Sequence, residues 1–263
     1  MNQVASVETT NSNWKSLYRV GGVAALIAGL LFRRNIAAEI NLFSDYKSPV
    51  AVSDWFVLLQ NHRFLGLAYL NIFDLVNYTL MGLMFLALFA VLKRVNISYM
   101  AIATVLGIAG ITVYFSSNTA FSMVALSDQY AGATTEAQRT LLLAAGDALL
   151  VINRFNSSGA HPGSGGYMSL LLIAIAGMIT SAVMIRSNVF NRATAFVGIL
   201  ASAFDLAYCI TYAFVPSVNS ELLSILFIPA AGFLLMVWHI MVGWRLYQLG
   251  SNAGQESVHP VNV

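Results

Sequence analysis

The sequence predicts an all-α fold: a polytopic membrane bundle of six transmembrane helices with external interfacial or re-entrant helices. Three observations carry this. Of the 263 residues, 58% are hydrophobic and only 9% charged, where soluble domains carry roughly 25% charged residues. Apolar runs of about 20 residues, the length that crosses a bilayer, recur between short polar turns. Gly21, Ala25 and Gly29 form a small-residue stripe of the kind that lets membrane helices approach closely. A net charge of +2 gives no ground for a nucleic-acid partner. The lone Cys209 excludes an intramolecular disulfide.

Taken in order, residues 1–15 are expected as a disordered tail. Residues 1–13 hold no Lys or Arg, so no cleavable signal is expected and the first span inserts the chain. That span runs over about 17–41 and contains Arg33, Arg34 and Glu39; a shorter span ending at Phe32 is the alternative. An external segment, 42–63, follows. Within it Ser53 is a candidate N-cap, and Trp55-Phe56 suits a helix at the membrane interface. The second span covers 64–92 and the third 98–126, where Gly107 and Gly110 read as packing residues. The second external segment covers 127–166, with a helix beginning near Thr135-Glu136 and continuing to Phe155. Its 141–155 stretch is too short and charged to span, so it is interfacial or re-entrant. A Gly-rich hinge, 156–166, precedes the fourth span at 167–185. The fifth is 193–214 and the sixth 221–246, with Pro229 as a kink; 249–263 is a disordered tail.

An even number of spans puts both termini on one side. Lys15, Arg19, Lys93, Arg94, Arg186, Arg192 and Arg245 fall there, and the short loops at 93–97 and 186–192 hold no acid. The excess of basic residues in short loops marks the cytoplasmic side. The expected location is therefore the inner (plasma) membrane, multi-pass, with both termini cytoplasmic.

The candidate site is polar. If 64–92 is one helix, Asn71, Asp74 and Tyr78 share a stripe with Asn77 at its edge. Counting along that helix puts Asp74 at the depth of Asp205 in the fifth span. A carboxylate held in lipid requires a partner, water or a cavity. Arg33 and Arg34 come within reach if the first helix is long, so an Arg33 or Arg34 pairing with Asp74 and Asp205 is one expectation. Ser117 and Asn118 lie at similar depth. His62, Arg63, Arg139, Arg154 and His161 would form the external rim. The alternative is that these groups only hold helices together, at about 0.6–2 kcal/mol per contact.

Other chemistry finds little footing. His62, His161, His239 and His259 are scattered, where a metal site needs clustered ligands. A lone His239 near a span end reads as a hydrogen-bonded interface residue. Lys15, Lys47 and Lys93 lie outside the spans, so a retinal-type Schiff base has no lysine. Ser116 or Ser117 with Asp74 and His62 is the only arrangement suggesting a hydrolase. No catalytic residue, metal or cofactor is expected; bound lipid is.

Tyr18-Arg19-Val20-Gly21-Gly22 opens the first span, Asn191-Arg192-Ala193-Thr194-Ala195-Phe196-Val197-Gly198-Ile199-Leu200 leads the fifth, and Trp238 to Trp244 closes the sixth. In these features and in span order, residues 17–248 resemble the DUF4386 family of small prokaryotic multi-span membrane proteins. The resemblance implies a membrane fold and a prokaryotic inner-membrane location, and carries over no catalytic residues. Three functions remain open. One is binding of a small amphipathic or anionic ligand in an outward-facing polar pocket, for binding, sensing or transport. The second is an accessory or assembly subunit of a membrane complex, with other subunits or a second copy as partner. The third is an intramembrane lipid-modifying enzyme.

Overall fold

The computed structural model describes residues 2–37, 49–153, 163–215 and 220–251, with side chains over 14–31, 49–152, 163–215, 227 and 229–251. The helices are α1 (Asn2–Ala37), α2 (Val52–Asn61), α3 (Arg63–Tyr69), α4 (Ile72–Leu92), α5 (Ile97–Ser117), α6 (Ala120–Gly132), α7 (Glu136–Asn153), α8 (Ser164–Ile185), α9 (Arg192–Phe214) and α10 (Ser220–Ser251). No strand occurs among the described residues.

Six of these helices close into a ring in chain order. α1 packs on α4, α4 on α5, α5 on α8, α8 on α9, α9 on α10, and α10 returns to α1. Neighbours run antiparallel, and glycines set the registers. Gly22 and Gly29 meet α10 at Gly243–Tyr247 and Met236–Ile240; Gly21 meets Ala87 of α4. Gly107 lies on Phe85, Gly110 on Ile173, Gly177 on Ser202, and Gly198 on Ser181 and Trp238. Each position lacks room for a methyl group, so the backbones approach as the small-residue stripes require. By length and apolarity, five stretches can each cross a membrane: α4, Ile97–Gly132, α8, α9 and the Pro229–Ser251 part of α10. α1 completes the ring. The outer faces carry exposed Val23, Ile27, Leu30, Leu86, Val105, Phe196, Leu200 and Phe233, a lipid-compatible exterior.

The remaining helices, α2, α3, α6 and α7, cap one end of the ring around a separate core of Val52, Trp55, Phe56, Leu59, Leu70, Ala120, Met123 and Leu150. Ser127 donates to the Phe56 carbonyl at 3.0 Å, and Gln60 donates to the Ser127 carbonyl at 3.1 Å. The opposite end gathers the start of α1, the end of α10 and the basic residues Lys15, Arg19, Lys93, Arg94, Arg186, Arg192 and Arg245. There Lys93 sits 3.8 Å over the Trp14 ring, Arg19 donates to the Gly250 carbonyl at 2.9 Å, and Arg245 donates to the Val189 carbonyl at 2.7 Å.

Several expectations change. The tail expected over 1–15 is helical from Asn2. No Gly or Pro interrupts it before Gly21, and Trp14 docks on Lys93. The second span does not begin at 64. The chain breaks at Leu70-Asn71, where Asn71 adopts a left-handed conformation (φ 63°, ψ 35°), so α3 belongs to the cap and α4 crosses alone. The third apolar stretch, expected over 98–126, runs over Ile97–Gly132 but is broken into two helices after Ser117. Asn118 is extended (φ −72°, ψ 123°) and its side-chain oxygen accepts from the Ala120 amide at 3.1 Å. This local turn replaces the helical ladder. Ala51, not Ser53, caps α2, and Trp55 and Phe56 are buried in the cap rather than laid on the membrane surface. The α7 start is as expected. The Thr135 hydroxyl accepts from the Gln138 amide at 3.3 Å. The Gln138 side chain accepts from the Thr135 amide in return, a reciprocal cap. Glu39, residues 42–48, residues 154–162 (with them the 156–162 part of the hinge) and residues 252–263 lie outside the described residues.

Candidate functional site

Just inside the capped end lies a polar layer contributed by four successive ring helices. α4 supplies Asp74, Asn77 and Tyr78. Asp74 sits in the first turn of α4, half-buried at the mouth, and its carboxylate accepts from the Tyr114 hydroxyl of α5 at 3.2 Å. The Tyr78 and Tyr114 rings stack face to face, 4.1 Å between centroids and 3° apart in plane. Four residues separate Asp74 from Tyr78, so one face of α4 offers an acceptor above and a ring below. Ser169 of α8 lies beside the Tyr78 hydroxyl, and Asn118 beside that of Tyr114. Beneath the rings, Met81, Phe85, Ile111, Ile173 and Ala176 form an apolar floor.

Asp205 comes from α9. It is 8% exposed and makes no ion pair or hydrogen bond among the described residues. It lies close enough to Tyr78 to act on its hydroxyl electrostatically, as Asp74 does. Phe214 ends α9. At about 1.5 Å per residue, Asp205 lies roughly 14 Å inward of it. The two acids are therefore not at one depth: with the helix broken at Asn71, Asp74 marks the mouth and Asp205 the interior. Three further atoms of this region are buried with no hydrogen-bond partner among the described residues: Asn77 Oδ1, Asn118 Nδ2 and Ser169 Oγ. The last two approach their tyrosine hydroxyls without reaching hydrogen-bond geometry. Buried polar groups are paired in the large majority of cases; Thr180, Ser181, Trp238 and His239, deeper in the bundle, carry further such atoms.

On α9, Asp205, Tyr208 and Tyr212 form one stripe. The Tyr208 and Tyr212 centroids are 6.0 Å apart, and Tyr167 of α8 comes within 6.1 Å of Tyr212. The Tyr167 hydroxyl donates to the Cys209 carbonyl at 3.3 Å, tying α8 to α9 beside Asp205.

Of the residues expected at the site, Asp74, Asn77, Tyr78 and Asn118 come together, and Asp205 lies deeper, within electrostatic reach of Tyr78. Asn71 is at the break, off the Asp74–Tyr78 stripe, because its left-handed backbone turns the chain there. Ser117 donates to the Tyr114 carbonyl at 3.1 Å and packs on Gly165, so it serves the α5–α8 contact. His62 is exposed between α2 and α3, away from the layer. Arg63 pairs with Asp128 across the cap, and Arg139 pairs with Glu136 at 3.2 Å. Arg33 and Arg34 are in the last turns of α1 with their side chains outside those described, and Arg154 and His161 lie outside the described residues. His239 is fully buried, its Nδ1 2.7 Å from the Leu235 carbonyl, and so is a bundle-interior residue rather than an interface one. Tyr114 and Ser169 join the layer without having been expected there. Tyr114 stands four residues before Asn118, a spacing that could have placed it on the same face.

Among the described residues no three His, Cys, Asp or Glu side chains come together. Chemically, the layer offers acceptors (two carboxylates and Asn77), hydroxyl and amide donors, and ring faces. Compared with family models, with curated proteins and with solved structures, the chain matches none.

Proposed function

We propose that this is a membrane-embedded binding protein, for sensing or transport, that holds a small amphipathic ligand in the polar layer beneath the cap. The observation that carries the reading is Asp205, a carboxyl nine-tenths buried inside a helix ring with no hydrogen bond or ion pair among the described residues. An acid placed so is expensive unless something completes it, and acids inside spanning segments mark ligand or ion paths. Asn77, Asn118 and Ser169 add unpaired polar atoms to the same layer. Tyr78, Tyr114 and the apolar floor suit a ligand's hydrophobic part. The described polar lining is acidic and hydroxylic, which favours a donor-bearing head over an anion. The layer lies next to the cap, and the acid-free short loops with Lys93, Arg94, Arg186 and Arg192 at the other end support cytoplasmic termini in an inner membrane, with an outward-facing site. The resemblance to the DUF4386 family is part of the same proposal.

Native mass spectrometry of protein released from nanodiscs tests it. The wild type retains a small-molecule adduct beyond detergent and bulk lipid, and Asp205→Asn loses it. Equal adduct on both, or on neither, contradicts the reading.

A further inference from the structure

The class of ligand follows from what surrounds Asp205, and this inference rests on the binding reading above. Of the ring helices, α4, α5 and α8 contain no Lys or Arg, α9 has only Arg192 at its far end, and α10 has only Arg245 at the termini end; α1 carries Arg33 and Arg34 in its last turns, with side chains outside those described. What faces Asp205 instead is aromatic. Tyr208 and Tyr212 continue its stripe toward the capped end, near-parallel rings 21° apart in plane, and Tyr167 closes on them from α8. Tyr78 lies within electrostatic reach of Asp205, and one side of its ring is stacked on Tyr114. A buried carboxyl with no ion pair among the described residues, on one helix stripe with two tyrosine rings, is a composition that recognises organic cations. The acid supplies the opposite charge, and the ring faces attract a cation whose own charge is spread over carbon. A compact, strongly hydrated metal ion would need several oxygen ligands, which a single buried carboxylate does not give.

We infer that the polar layer is a binding site for a lipophilic organic cation, a quaternary ammonium or phosphonium or a protonated amine, with Asp205 as counter-charge and Tyr78, Tyr208 and Tyr212 as ring walls. Asp74 at the mouth, held by Tyr114, draws the cation inward past the stacked pair.

Equilibrium dialysis of purified protein against protein-free micelles tests this with three probes. Tetraphenylphosphonium and tetraphenylborate have the same size and opposite charge, and N-phenyl-1-naphthylamine is a neutral amphipath. Tetraphenylphosphonium binds saturably, at least tenfold more tightly than tetraphenylborate. Asp205→Asn weakens it at least tenfold, Asp205→Glu preserves it, and Tyr212→Leu weakens it several-fold, by a larger factor than it weakens the neutral probe. Size-exclusion profiles identify any variant that fails to fold, and Tyr212→Leu then reads the site in place of Asp205→Asn. Equal binding of both ions and the neutral probe overturns the cation inference and leaves an amphipath pocket standing. Preference for tetraphenylborate overturns it in favour of an anion held by Arg33 or Arg34. No saturable binding of any probe overturns both the inference and the pocket. Unchanged tetraphenylphosphonium affinity in a well-folded Asp205→Asn overturns the assignment to this layer.

Discussion

The Asp74–Tyr114 hydrogen bond and the Asp205 carboxyl are opposite uses of the same residue type. Asp74 is half-buried, within the first turn of its helix, and takes a phenol proton donor from the neighbouring helix at 3.2 Å. That joins α4 to α5 near the capped end of the ring. Interhelical hydrogen bonds in membranes contribute about 0.6 kcal/mol on average and up to ~1.7 kcal/mol. Tyr114→Phe keeps the stack with Tyr78 and removes only the donor. In detergent-titrated unfolding it should destabilise the protein by about 0.5–2 kcal/mol; wild-type stability would show that the contact contributes nothing. Tyr78 works as a flat wall. Its stack with Tyr114 fixes both rings and leaves one face of each directed away from the pair.

At the scale of elements, two short interruptions divide the molecule into ring and cap. Asn71 turns α3 away from α4, and the Asn118-Thr119 step turns α6 away from α5. A left-handed residue with a branched β-carbon costs about 1–2 kcal/mol, and glycine costs little there. Asn71→Gly should therefore keep wild-type thermal stability while Asn71→Val loses about 1–2 kcal/mol; equal loss in both would mean the side chain, not the backbone, matters. Within the cap, apolar burial outweighs surface charge. Phe56→Ala should cost about 3–5 kcal/mol and expose α2 to protease. Arg63→Ala breaks the exposed pair with Asp128 and should cost about 1 kcal/mol or less. These interruptions also mark the limit of what the sequence discloses. Spans, their order, the α7 start and the packing roles of Gly107 and Gly110 are readable, because apolar length, capping chemistry and small-residue spacing are local properties. The breaks are not, because one left-handed Asn or one extended Asn inside a long apolar run leaves hydropathy unchanged. Two consequences follow: counting along an unbroken helix sets Asn71 on the Asp74 stripe, and it sets Asp74 too deep. Ser169 escapes for another reason, since a serine in an apolar span signals nothing until its partner helix is known.

At the scale of the whole molecule, a ring of six antiparallel helices is closed tightly at the end with the termini and covered by a separately packed cap at the other. Glycine-mediated contacts hold most of the ring, and Asp205 makes no hydrogen bond or ion pair among the described residues that would add to them. A buried carboxyl without a partner is a cost to the fold, and replacing buried ionic groups with well-packed apolar ones is often neutral or stabilising by about 1–4 kcal/mol. Functional sites commonly carry such a cost, and stability gained at them is accompanied by loss of activity. The most direct measurement is the unfolding free energy of Asp205→Leu against wild type, each purified without added ligand, by reversible denaturant titration in the same micelle. The protein described here gives a variant as stable as wild type or more stable by about 1–4 kcal/mol. A loss of about 3–5 kcal/mol would mean that Asp205 completes a structural ion pair whose cation is left buried and alone, and would contradict the account.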